Sequence, residues 1–167
     1  MRAEMTSRSG QGGFFLIEAM VAILIFALGI LGLVAMGGTA VSSQSDAQYR
    51  TDASSLADAI ASQMALSINR TGATAAIKTA NKAASLAAFA HNPGGLTCGA
   101  FVGGPTAPGP VLDLVSRAQA VLPGANGTYQ QIIVDGAGSF NRVEITLCWK
   151  TASDNVPRRH TVVTYVN

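Results

Sequence analysis

The side chains in this sequence most able to react, bind metal or carry charge where charge is costly are Glu18, His91, His160, Cys98 and Cys148. The two histidines are the only imidazoles, and neither has a cysteine or carboxylate at metal-ligand spacing. No serine sits in a Gly-x-Ser-x-Gly turn, and no Cys-x-x-Cys occurs. The Gly/Pro-rich stretch NPGGLTCGAFVGGPTAPGP (92–110) lacks the Gly-Lys-Ser/Thr ending with which a loop cradles phosphates. The expectation is therefore no catalytic residue, no metal and no cofactor. A membrane-tethered enzyme or binding protein, its site assembled only in space, is the competing class.

Glu18 is the unusual member of the set. From Phe14 to Val34 every other residue is apolar or glycine, 21 residues in all. At about 1.5 Å per residue such a helix covers roughly 31 Å, the thickness of a bilayer's hydrocarbon core. A carboxylate inside a membrane span costs a few kcal/mol and normally has a partner. No Lys, Arg or His lies nearby in the helix, so the partner must be a terminal amine or another chain. The other reading is that Glu18 snorkels to the nearby interface. Arg2 and Arg8 against Glu4 make the preceding flank positive, which keeps it cytoplasmic and sends the remainder outward. An ordinary secretory signal, cleaved among the small residues of AMGGTAVSSQS (35–45), fits less well because its apolar core is usually about 7 to 15 residues.

Gly13-Phe14-Phe15-Leu16-Ile17-Glu18 followed by an apolar helix resembles the class III signal of type IV pilins and pseudopilins, in which a prepilin peptidase cuts after the glycine. The resemblance implies that Gly13 ends a leader, that Phe14 becomes the N-methylated terminus, and that Glu18 is the fifth residue of the mature chain. Phe15 departs from the Ser or Thr common at its position. Cutting at Gly13 creates an ammonium group four residues, one helical turn, from Glu18. Between chains, Glu18 of an incoming subunit would seek a neighbour's terminal amine and so set axial register. Gly13, lacking a Cβ, is expected to leave the scissile backbone extended and accessible; the plainer reading is a flexible linker with Gly12.

The elements that must position these residues follow from periodicity. No proline precedes Pro93, so a helix beginning near Phe14 can continue to about residue 69. Tyr49, Ala53, Leu56, Ile60, Met64 and Ile68 recur at spacings of three and four and mark an amphipathic helix, with Asp46, Arg50, Asp52 and Asp58 on other faces. Gly29, Gly32, Gly37 and Gly38 are its weak points or sites of close helix packing. TGATAAIKTANKAASLAAFAHN (71–92) reads as a short helix or two, ended near His91. PVLDLVSRAQAVL (110–122) places Val111, Leu114, Val115, Ala118 and Leu122 on one helical face, ended by Pro123-Gly124. TYQQIIVD (128–135), RVEITLCWKT (142–151) and RHTVVTYVN (159–167) read as three antiparallel strands. Alternation puts Val143, Ile145, Leu147 and Trp149 on one face of the second and Glu144, Thr146 and Cys148 on the other.

The fold class expected is α+β: a long N-terminal helix, half transmembrane and half amphipathic, packed on a small head with an antiparallel sheet of about three strands, type IV pilin-like. Its parts are a leader (1–13), a membrane or filament-core helix (14–34), an amphipathic continuation (35–69) and a periplasmic head (70–167), helical and looped over 70–127 and stranded over 128–167. Leu122-Pro123-Gly124 before the strands and the Cys148-Trp149 pair resemble the PilV type of minor pilin. They are also similar to a minor pseudopilin of type II secretion. A periplasmic head implies a disulfide between Cys98 and Cys148, tying the Gly/Pro loop to the second strand; two free thiols are the other reading. Charged residues at 12% against 49% apolar argue for burial in lipid or against other subunits. Arg158-Arg159 is the only adjacent basic pair, which leaves no stripe for a phosphate backbone, so nucleic acid is not an expected direct ligand. The resemblance implies a structural, non-enzymatic subunit of the bacterial inner membrane and then of a pilus shaft or tip, promoting assembly and through it twitching, adhesion or DNA uptake. The partners it implies are prepilin peptidase, the major and other minor pilins, the inner-membrane assembly platform and inner-membrane lipid. The exposed Gly/Pro loop is the expected surface for any adhesive contact.

Overall fold

In a computed structural model that describes residues 12–103, 108–136 and 140–166, helix α1 runs unbroken over Gly12–Ser67, 56 residues. The expected leader lies outside the described residues up to position 11, as does the side chain of Phe14 and the last strand residue, Asn167. With no proline to remove an i→i−4 bond, the four interior glycines lower helix propensity but do not break α1. Its backbone is already helical at Gly12 and Gly13, so the extended conformation expected at Gly13 is corrected: once a helix is nucleated, each added residue costs little.

The chain divides into two compact units, one ending at Asp46 and the other beginning at Ala47. In the first, the large apolar side chains from Phe15 to Val34 are all exposed, from 45% at Ile30 to 73% at Phe15. A window of this helix reaches a mean hydropathy of 2.8, and by length and composition α1 can cross a membrane.

In the second unit α1 buries Ala53, Leu56, Ile60 and Met64 of the expected stripe and Ala57 beside them, with Ile68 buried just past the helix end and Tyr49 packed at the margin. Each large side chain so buried contributes roughly 1.5–3 kcal/mol, an upper estimate because the unfolded chain is itself partly collapsed. Helix α2 occupies Ala75–Ala87, capped by Thr74, whose hydroxyl accepts from the Ile77 N–H at 3.3 Å. Helix α3 covers Gly109–Val121 and buries Val111, Val115 and Ala118, with Leu122 beyond its end. Leu114, expected on the same face, is only partly buried against the core.

Strands β1 (Gln130–Val134), β2 (Arg142–Trp149) and β3 (Arg158–Tyr165) form one antiparallel sheet in the order β1-β2-β3. Ile132 lies opposite Ile145, and Ile145 opposite Val162. Val143, Ile145, Leu147 and Trp149 join the helices in one core cluster. The start of the first strand is corrected. Thr128 and Tyr129 belong to a short 3-10 turn, because the Asn126 side chain accepts from the Thr128 N–H at 2.9 Å and turns the chain before β1. Thr146 and Cys148, on the face of β2 opposite the core residues as alternation predicts, are 5% and 0% exposed, because the Gly/Pro loop covers that part of the outer face.

Candidate functional site

Two regions hold the residues singled out by sequence, and they lie in different units. Glu18 is exposed on the apolar surface of α1, with Ile17, Met20 and Val21 around it also exposed. It is the only charged residue between Phe14 and Ser45. Gly13 and Phe14 occupy the first helical turn, with Glu18 one turn further on. A cut at Gly13 would require that turn to open, which a helix end does readily.

In the head, Cys98 and Cys148 are bonded, with their Cα atoms 5.8 Å apart and a sequence separation of 50. The loop that brings Cys98 to β2 is held at several points. Gly94 and Val102 exchange backbone hydrogen bonds of 2.8 and 2.9 Å, the Gly99 N–H donates to the Thr128 carbonyl at 3.1 Å, and Phe101 is buried. Gly95, at φ +88°, sits where a Cβ would collide with the Ala100 carbonyl oxygen, so this tight closure requires glycine.

A polar knot missed by sequence reasoning fixes the start of the loop. His91, expected to end the alanine-rich helix, instead pairs with Ile132 at the edge of β1, its N–H donating at 3.1 Å and its carbonyl accepting at 2.8 Å. Asn92, at φ +44°, donates from Nδ2 to the carbonyls of Gly127 and, at 3.1 Å, Gln130. Gln131 Nε2 donates back to the Asn92 carbonyl at 3.0 Å. Burial pushes the His91 imidazole below its usual pKa and favours its neutral form. A cavity of about 500 Å³ lies beside it, lined by Leu112, Val115, Ser116, Gln119 and Thr128. The turn-initiating dipeptide Asn92-Pro93 was the available sign of this knot.

Two charged clusters pin the strand ends. Arg142 bridges Asp135, at 2.8 Å, and Glu144, and hydrogen bonds to these carboxylates raise its pKa. Asp154 accepts from Arg158 at 2.9 Å and from the Thr151 N–H at 3.0 Å; these bonds, that from Arg158 foremost, hold its carboxyl at about 2. Among the described residues no group of three or more His, Cys, Asp or Glu side chains is placed to hold a metal ion. His160, the third residue of β3, lies beside Arg159 and α1 residues Arg50, Thr51 and Asp58 along a surface groove.

The short motifs that carry the second resemblance meet in the fold. The Lys150 N–H donates to the Pro123 carbonyl at 2.9 Å, which sets Leu122-Pro123-Gly124 against the end of Cys148-Trp149. No protein-family model, no curated protein and no solved structure matches the chain.

Proposed function

We propose that the chain is a minor pilin of a type IV pilus, a structural subunit made as an inner-membrane precursor and inserted into the filament or its tip to promote assembly. The observation that carries this reading is the cleavage-type motif Gly13-Phe14 with Glu18 at the head of a 56-residue helix whose first half is apolar, Glu18 apart, and exposed. A soluble protein does not leave such a surface open, so it belongs in lipid or against other helices.

Supporting features are the disulfide, which fits an oxidising compartment such as the periplasm, and the small α+β head. After cleavage, the Phe14 ammonium and Glu18 carboxylate form a complementary pair at one helical turn. Leaving either charge buried without a partner costs about 3–5 kcal/mol, so a subunit entering the filament is held at the register that matches them. In this reading the N-terminus is cytoplasmic before cleavage and the head periplasmic.

Mass spectrometry of the chain purified from membranes tests the proposal. A mature terminus at N-methylated Phe14 supports it. A terminus near residue 40 identifies a secreted soluble protein, and an uncut leader identifies a plain signal anchor; either overturns it. Co-purification with secretion components in place of pilus subunits would redirect the same chemistry to a type II secretion pseudopilin.

A further inference from the structure

Between the outer face of the sheet and the Gly/Pro loop, at Gly95, Leu96 and Phe101, lies a slot of about 320 Å³. Strand register orders its floor in rows. Gln131, Thr146 and Thr161 lie opposite one another in the middle row. Ile133 and Glu144 share the row on one side, and Arg159, opposite Cys148, stands in the row on the other. These positions alternate with the core residues Ile132, Ile145 and Leu147, so they share the outer face. From the row of Glu144 to that of Arg159 is roughly 13 Å along the strands, and the threonine pair sits between.

The two ends of the slot differ in chemistry. Arg142 and Arg158 are held by carboxylates, those of Asp135 and Glu144 and that of Asp154. The Arg159 guanidinium is exposed and, among the described residues, has no ion pair: neither Glu144 across the slot nor Asp58 across the groove shared with α1 reaches it. Glu144 gives Oε2 to Arg142, which offsets its charge and leaves Oε1 as an acceptor. The Thr146 and Thr161 hydroxyls, 3.1 Å apart, share one hydrogen bond, so one hydroxyl hydrogen remains to donate. The slot therefore has surplus positive charge at one end, an acceptor at the other and a donor between. Its wall is apolar at Leu96, Ile133 and Phe101. Leu96 is 93% exposed although its loop is fixed by the disulfide, by the Gly94 and Val102 backbone bonds and by Gln131 Nε2, which donates to the Asn92 and Gly94 carbonyls at 3.0 and 3.3 Å. Groups held this way lose little freedom on binding.

We propose that this slot binds an acidic sugar, a hexuronate. The sugar carboxylate pairs with Arg159 in the two-pronged geometry a guanidinium favours. The ring hydroxyls, which both donate and accept, meet Glu144 Oε1 and the threonine pair, and the C–H face of the ring lies on Leu96 and Ile133. Each alternative leaves part of the slot unused. A simple anion makes nothing of the Glu144 end or the apolar wall, and a neutral hexose leaves Arg159 without a counter-charge. A zwitterion such as a dipeptide would bring its ammonium to a carboxylate already neutralised by Arg142. The inference stands on the head alone, independent of the pilin reading.

The test uses the full chain in a detergent without sugar head groups, titrated by NMR with glucuronate, galacturonate, glucose, acetate and dialanine. Saturable binding of at least one hexuronate is expected, with the other three probes at least tenfold weaker. Arg159→Gln replaces an exposed side chain that has no ion pair. It is expected to weaken hexuronate binding at least tenfold and to remove the advantage over glucose, while the thermal midpoint stays within a few degrees. If that variant misfolds, Thr161→Val takes its place and is expected to weaken hexuronate and glucose alike by several-fold. Failure of both hexuronates to bind at about 50 mM overturns the proposal. So does full hexuronate affinity in Arg159→Gln, and so does acetate or glucose binding as tightly as the hexuronate. Preference for dialanine would assign the slot to a peptide terminus and overturn it as well.

Discussion

Lys150 reaches across from the end of β2 to hydrogen-bond the carbonyl of Pro123 at 2.9 Å, locking the exit of α3 onto the sheet. The contact leaves no room beside Gly124, whose φ is +63° and whose position admits no Cβ without a collision with the Lys150 carbonyl oxygen. Gly124→Ala therefore meets both left-handed strain and a backbone clash. The expected loss is about 2–4 kcal/mol, read as a fall in denaturation midpoint with an unchanged helical circular-dichroism signal.

The disulfide closes a separation of 50 residues. In the chain-entropy description this restricts the unfolded state by about 4 kcal/mol. Reduction should lower the midpoint in chemical denaturation correspondingly and slow the denatured chain on a gel, because the opened chain is less compact. An unchanged midpoint would mean that the loop is held by its hydrogen bonds alone.

Stability should change with pH in two windows. Asp154 is held at about 2, below its ordinary 3.8, so its pairing with Arg158 and Thr151 contributes fully above its ordinary value and is lost as pH falls through about 2. Asp154→Asn should flatten the acid limb of thermal midpoint against pH by comparison with wild type. His91 acts higher: burial keeps it neutral, so stability declines as pH drops below its ordinary 6.5 and the unfolded chain takes up a proton that the folded one refuses. His91→Gln should remove that slope.

Glu18→Ala removes a charge from an apolar surface and should leave membrane insertion and leader cleavage intact, with insertion slightly favoured. Incorporation into filaments should fall at least tenfold, measured as the ratio of pilus-borne to membrane-borne protein. Normal incorporation would sink the proposed register mechanism.

Much of the architecture was legible because it is written in local periodicity. The stripe from Ala53 to Ile68, most of the α3 face and the alternation of Val143 to Trp149 each bury the side chains their spacing predicts, since the periods of helix and strand leave little choice of face. Glu18 stands out for an equally local reason: one charge in 21 residues of apolar helix is conspicuous whatever the fold. Other features depend on groups far apart in sequence. Thr146 and Cys148 are buried on the face of β2 opposite the core because a loop about 50 residues earlier lies over them. His91 leaves the helix end for the sheet because Ile132, some 40 residues later, supplies its backbone partners. Strand-forming residues declare a strand through their own shape, but which of its backbone hydrogen bonds are satisfied is decided by neighbours that only the tertiary fold brings alongside.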